Sequence, residues 1–251
     1  VRMMITGSAP IAPNVLDFMR ICFGCEIHEG YGLTECSTAC AASIPGTFSC
    51  SNVGAPLPCA EIKLVDIPEL SYLVTDLPHP RGEIFVRGPI VCLGYLNLPE
   101  ETAKTIDNEG WLKTGDVGEW LSDGTLRVID RKSSIFKMAQ GEFVAPEKIE
   151  NAIANSNFVQ MAFAYGDRYK SSVVCVIVPD TDAVNFWAKE NHRAGVDLET
   201  LCLSEDLKKQ ILADIVQMGK ENGLSGFEIP RAIHLEPSPF DVERGIVTPT
   251  F

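Results

Sequence analysis

Three segments of this chain hold residues whose types and spacing can do chemistry. The first is Glu29-Gly30-Tyr31-Gly32-Leu33-Thr34-Glu35. Gly30 and Gly32 permit close backbone approach, and Tyr31 offers a flat face to a ring. Thr34 can donate to a phosphate oxygen, and Glu35 supplies the hard oxygen that magnesium prefers. The same residues also fit a plain strand-to-helix turn capped by Thr34. The second segment is Glu109-Gly110-Trp111-Leu112-Lys113-Thr114-Gly115-Asp116. An acid that follows glycine at the start of a strand can accept two hydrogen bonds from a ribose diol, although Thr-Gly-Asp also serves ordinary turns. The third is Asp130-Arg131, followed by Lys137 and Gly141-Glu142. A permanently charged, multidentate arginine at a junction can bridge a bound nucleotide to a second domain; solvated linker charges are the alternative.

The elements that must position these residues follow from pattern. Pro13, with Val15, Leu16, Met19, Cys22 and Phe23 at helical spacing, predicts an amphipathic helix over Ala12 to Phe23 that Gly24 ends. Flanked by strands at Arg2 to Thr6 and Cys25 to His28, it makes a strand-helix-strand unit of the kind that builds parallel sheets. From Glu61 the pattern changes to short alternating segments: Glu61 to Val65, Gly82 to Arg87, Asp116 to Leu121 and Thr125 to Asp130. Ser122-Asp123-Gly124 forms a hairpin turn between the last two. The polar stretch Asp130 to Ser134 breaks this pattern and suggests a domain boundary. Beyond it, helices are expected at Pro146 to Asn155 and Glu205 to Glu221, the second capped by Ser204 and carrying Leu207, Ile211, Ile215 and Met218 on one face. Strands are expected at Val159 to Tyr165, Ser172 to Val178 and Arg231 to Leu235. The fold class is therefore α/β, with a small β-rich layer, plus a small α+β domain: residues 1–130 and 131–251.

Length and composition agree with this organisation. The 251 residues are 45% hydrophobic and 22% charged, which excludes disorder and low complexity. The net charge of −13, with an acidic excess in both parts, offers no basic field for a phosphate backbone, so nucleic acid is excluded as a partner. A nucleotide is not excluded, because backbone amides and one metal ion can hold it. The longest uncharged run, Cys36 to Ala60, contains Pro45, Pro56 and Pro58 and cannot be a spanning helix. Nine scattered cysteines fit reduced thiols in an intracellular, non-secreted protein. The spacing of Cys22, Cys25, Cys36 and Cys40 would also suit zinc, but Cys22 continues the helical apolar stripe.

Taken together, Gly30-Tyr31-Gly32-Leu33-Thr34-Glu35, Gly110 to Asp116 and Ile129-Asp130-Arg131-Lys132 resemble the adenylate-forming superfamily. Glu109 to Ser133 and Phe136 to Glu150 are similar to its long-chain acyl-CoA synthetases, and the similarity covers essentially the whole chain. The resemblance implies ATP-dependent activation of a long-chain fatty acid through an acyl-adenylate, followed by transfer to coenzyme A, with Mg2+. It implies that Tyr31 stacks on adenine, next to the pocket segment Gly7, Ser8, Ala9 and Pro10. Thr34 would contact the α-phosphate and Glu35 would hold magnesium. Asp116 and Arg131 would bind the ribose, and Lys137 would lie near the adenylate or coenzyme A. The smaller domain would rotate about the junction, where Ser133 replaces the family's usual Lys or Asp. The family also carries a phosphate loop ahead of these motifs and a catalytic lysine directly after the position of Phe251, so the 251 residues alone are expected to lack adenylation activity. The strand from Arg2 is expected to lack sheet neighbours and to leave apolar surface exposed. Peripheral contact with a membrane face, such as the endoplasmic reticulum, is a further expectation, since the substrate partitions there.

Overall fold

The computed structural model describes residues 1–248; Pro249, Thr250 and Phe251 lie outside the described residues. The chain divides into two compact units, Val1–Ser133 and Ser134–Phe251.

The first unit opens with β1 (Met3–Thr6), α1 (Pro13–Phe23) and β2 (Glu26–Tyr31). Strands β1 and β2 pair in parallel, Met3 opposite Glu26 through Thr6 opposite Glu29. Two short strands, β3 (Ala41–Ala42) and β4 (Ala55–Pro56), extend the sheet in the order β1-β2-β3-β4. The first strand is thus paired on one side, which corrects the expectation that it has no neighbour; its other edge is open, with Met3 and Ile5 exposed. Gly24 ends α1 in the left-handed conformation, as its sequence position predicts.

The buried face of α1 is not the predicted one. Leu16 and Arg20 are buried, Met19 is half-buried, and Val15, Cys22 and Phe23 are exposed. The inward face meets free carbonyls, so an arginine is drawn in to satisfy them. Its guanidinium donates to the carbonyl oxygens of Ile27 at 3.2 Å and Phe48 at 3.1 Å.

The second sheet of this unit is an antiparallel meander of β5 (Glu61–Val65), β6 (Arg81–Arg87), β7 (Leu112–Trp120) and β8 (Leu126–Arg131), with α2 (Pro99–Thr105) between β6 and β7. Leu126 exchanges backbone hydrogen bonds with Val53 and Gly54, which ties the meander to the segment preceding β4. Cys36, Cys40, Val53, Ile84, Val86, Leu112 and Leu126 form the shared core.

The second unit pairs β9 (Phe136–Lys137) with β10 (Phe143–Val144) and builds a mixed sheet from β11 (Val159–Tyr165), β12 (Val174–Pro179) and β13 (Ala232–Leu235). Its helices are α3 (Pro146–Ile153), α4 (Thr181–Glu190), α5 (Leu198–Cys202) and α6 (Glu205–Glu221). Ile149 and Ile153 of α3 and Leu207, Ile211 and Ile215 of α6 pack with Ile177 in one core. Ser204 precedes α6 without capping it, because its hydroxyl accepts from Arg193 Nη1 at 2.5 Å. Asp180 and Asp197 do cap α4 and α5, accepting from the N–H groups of Ala183 at 2.9 Å and Thr200 at 2.8 Å.

Among the described residues no helix is long and apolar enough to cross a membrane. All nine cysteines are free, and no group of three or more His, Cys, Asp or Glu side chains among the described residues is arranged to hold a metal.

Candidate active site

Strand β2 carries the first motif further than its sequence suggests, since Gly30 and Tyr31 are its last two residues rather than part of the loop that follows. Directly after it the chain turns tightly. Thr34–Cys36 form a single 3-10 turn, and Ser37 and Thr38 follow in left-handed backbone conformations. The turn folds back on β2: the Thr38 amide donates to Leu33 O at 3.1 Å and the Cys40 amide to Tyr31 O at 2.8 Å. Cys36 and Cys40 are fully buried beneath it and belong to the core of this unit. Thr34 is exposed at the start of the turn, and no side-chain cap forms there.

The pairing of β7 with β8 sets Asp116 directly opposite Arg131. Arg131 Nε lies 3.3 Å from Asp116 Oδ1, and the Tyr31 hydroxyl donates to Asp116 Oδ2 at 2.7 Å. One residue from each of the three sequence motifs therefore meets at a single carboxylate. Thr114 fixes it from below, accepting from the Asp116 amide at 3.0 Å and donating to Ile84 O at 2.7 Å. Asp116 is 5% exposed. Burial raises its carboxyl above the ordinary range, against the opposing pull of the Tyr31 hydrogen bond and the Arg131 charge. Burial also pushes the Tyr31 phenol far up, with the Asp116 charge adding to the effect, so Tyr31 remains the donor in this pair.

Beside this group lies a cavity of about 380 Å³ whose lining includes Glu35, Tyr95, Lys104, Lys113, Gly115 and Arg131. Glu35 is half-buried there, and its Oε1 accepts from the Tyr95 hydroxyl at 2.5 Å. Lys113 and Thr114 belong to the second motif but went unassigned by sequence reasoning. Tyr95 and Lys104 were missed altogether. The only sequence signal for Tyr95 was Gly94-Tyr95 placed shortly before the proline-started helix α2.

Gly7, Ser8, Ala9 and Pro10 follow β1 at its C-terminal end and are exposed. A Cβ on Gly7 would sit 3.0 Å from Gly30 O, so this segment runs close beside the first motif. Lys137 lies in the second unit, exposed on β9, with its Nζ 5.0 Å from the centre of the Phe143 ring.

Glu29 opens the first motif, where sequence gives it no role; in the structure it lies next to the Gly7 to Pro10 segment through its contact with Ile11. It is buried, interacts with the Ile11 backbone amide, and leaves Oε2 without a hydrogen-bond partner among the described residues. Burial raises its carboxyl, opposed by that backbone contact and the Arg20 charge. The folded protein then holds the Glu29 proton more tightly than the unfolded chain does. Its stabilising contribution is complete below the ordinary glutamate pKa of about 4.3 and is lost as pH rises through the raised value. Glu29→Gln is expected to remove this downward slope of stability with pH. Urea unfolding of both proteins from acid to neutral pH checks it, and parallel curves would refute it.

The fold thus sets a Tyr-Asp-Arg group and a lone carboxylate beside one polar cavity. Residues 1–96 match the model of the AMP-binding enzyme family. The chain is similar along its whole length to human long-chain-fatty-acid–CoA ligase 6, with 49% identity over 250 residues, covering 100% of this chain and 35% of that protein. It is 46% identical over 251 residues to the peroxisomal long chain acyl-CoA synthetase 7 of Arabidopsis thaliana, covering 100% of this chain and 36% of that protein. The chain thus spans about a third of the length of these curated relatives. Among solved structures, the adenylation domain of a carboxylate reductase from Mycobacterium chelonae matches with a TM-score of 0.83 and 35% identity, over 98% of this chain and 35% of that one. The corresponding domain of a carboxylic acid reductase from Segniliparus rugosus, solved with AMP and a co-purified carboxylic acid, matches with a TM-score of 0.80 and 31% identity, over 97% and 35% of the two chains.

Proposed function

We propose that this chain carries the nucleotide-handling part of a ligase that activates a long-chain fatty acid with ATP and passes it to coenzyme A. In the first step a carboxylate oxygen attacks the α-phosphorus, the bond to pyrophosphate breaks, and a mixed acyl-phosphate anhydride forms. In the second, the thiol of coenzyme A attacks the acyl carbon and AMP leaves. The observation that carries this reading is the meeting of Tyr31, Asp116 and Arg131 at one buried carboxylate, in a chain similar throughout to long-chain ligases.

Each side chain has a task its geometry suits. Tyr31, its hydroxyl tethered to Asp116, presents a fixed ring face to adenine, next to Gly7, Ser8, Ala9 and Pro10. Asp116 Oδ2 accepts the Tyr31 hydroxyl and Oδ1 pairs with the Arg131 charge, and each oxygen retains a lone pair for a ribose hydroxyl. Arg131 holds the carboxylate from the other side. The exposed Thr34 hydroxyl donates to an α-phosphate oxygen as charge builds there. Glu35 is a single carboxylate with no cluster of further ligands among the described residues, which suits a magnesium ion that arrives with the nucleotide and keeps most of its waters. When bound, that ion would neutralise phosphate charge. Lys137 contacts the adenylate or coenzyme A, and the Ser134–Phe251 unit serves as the small mobile domain.

The structural likeness to carboxylate reductase adenylation domains supports the first step in particular, since the acyl acceptor need not be the same. Titration with a nonhydrolysable palmitoyl-sulfamoyl-adenosine tests the reading. Saturable binding that AMP displaces is expected; no binding by this chain or by a polypeptide extended at both ends would overturn it.

A further inference from the structure

The segment from Gly88 to Leu98 grips the turn that carries Thr34 and Glu35. Three hydrogen bonds join them. Ser37 Oγ donates to Ile90 O at 2.8 Å, the Cys92 amide donates to Glu35 O at 2.8 Å, and the Tyr95 hydroxyl donates to Glu35 Oε1 at 2.5 Å. The first two hold the turn through the Ser37 hydroxyl and the Glu35 backbone carbonyl. Only the third fixes the carboxylate.

Tyr95 is itself held in place. Its amide donates to Thr102 Oγ1 at 2.9 Å, and that hydroxyl donates in turn to Leu98 O at 3.0 Å, locking the loop onto the first turn of α2. Gly94 makes this approach possible. Its φ is +139°, and a Cβ there would lie 2.4 Å from Thr102 Cγ2. The phenol therefore reaches Glu35 from a fixed base, occupying Oε1 and leaving Oε2 without a protein partner among the described residues, beside the cavity. An otherwise free glutamate has three side-chain torsions to settle before it can ligate. One hydrogen bond from an anchored donor settles them in advance.

We propose that Tyr95 is a positioning residue that orients the Glu35 carboxylate so that Oε2 faces the divalent cation of a metal-nucleotide complex. This rests on the proposed nucleotide-handling role, and its test separates the two. Tyr95→Phe keeps the ring and removes only the donor. Its affinity for Mn2+-ATP, read from the electron paramagnetic resonance of free Mn2+, is expected to fall about tenfold, the usual worth of a hydrogen bond to a charged group. Its affinity for the metal-free palmitoyl-sulfamoyl-adenosine is expected to stay within about twofold, as the adenine and ribose contacts lie elsewhere. Wild-type protein should also show a tyrosine ultraviolet difference signal on adding Mn2+-ATP, and Tyr95→Phe should lose it. A role in packing alone would move neither the metal dependence nor this signal.

Unchanged Mn2+-ATP affinity in Tyr95→Phe, with the analogue still bound, overturns the inference and leaves the proposed function standing. Failure of wild-type protein to bind the analogue overturns that function instead. Should Tyr95→Phe not fold, Thr102→Val and Thr102→Ser decide the matter. The valine loses the anchor and is expected to weaken Mn2+-ATP about threefold, while the serine keeps it and should not; equal affinities would overturn the inference.

Discussion

Gly32→Ala is expected to destabilise the first unit by about 3 kcal/mol or more and to abolish nucleotide binding with it. The reason is contact. A Cβ on Gly32 would lie 2.2 Å from Thr38 O and 2.7 Å from Ala39 Cα, both backbone atoms that cannot swing aside as a flexible side chain would. They are so close because Ser37 and Thr38, with φ of 56° and 91°, bend the chain back onto β2. Moving them would break the Thr38 and Cys40 amide bonds that shape the turn and shift the two buried thiols beneath it. Gly30 provides the control. A Cβ there would meet Ala41 O at 3.7 Å and Thr6 O at 3.9 Å, which is ordinary contact. Gly30→Ala should therefore unfold within about 1 kcal/mol of wild type in urea, the helix-or-strand glycine scale. Equal stability of the two variants would refute this account. The motif's two glycines looked equivalent in sequence; only the second is required by close packing.

That difference marks the limit of what sequence patterning reveals. Strands β11 and helix α6 match their predicted bounds because alternation and helical spacing are local signals that burial enforces. The apolar face of α1 was misread because periodicity ranks residues by hydropathy, whereas the decisive feature is a set of loop carbonyls near Phe48 that only a donor such as Arg20 can satisfy. Ser204 failed as a cap for a similar reason, since its hydroxyl was claimed by Arg193 from outside the helix. At the site, Tyr31, Asp116 and Arg131 were each picked out by residue type, but their convergence depends on the register of β7 and β8. The contact between Glu35 and Tyr95 spans 60 residues and follows from the path of a loop, which leaves no periodic trace.

Asp116→Asn is expected to weaken AMP binding by roughly a hundredfold, from the loss of hydrogen bonds to a charged acceptor. The amide keeps the shape of the side chain and replaces one acceptor with a donor. Its NH2 group cannot face the Arg131 guanidinium, which has only donors, so it turns to the Tyr31 hydroxyl, which can accept. The ribose diol then finds one acceptor where the wild type offers two, and the arginine loses its counter-charge. The effect of pH distinguishes this from general damage. Burial raises the Asp116 carboxyl, so the folded state holds this proton more tightly than the unfolded chain does. Its contribution to stability is thus complete below the ordinary aspartate pKa of about 3.9 and is lost as pH rises through the raised value. Binding has the opposite sign, because only the ionised carboxylate accepts both ribose hydroxyls, and AMP affinity should fall as pH drops through the same interval. In Asp116→Asn both slopes should vanish together, as read by urea unfolding and AMP titration across the same pH series. If the variant binds AMP as wild type does, or keeps either slope, Asp116 is not the ribose acceptor; a carboxylate whose buried charge costs stability just where it gains ligand is the behaviour of a binding residue rather than of a strut.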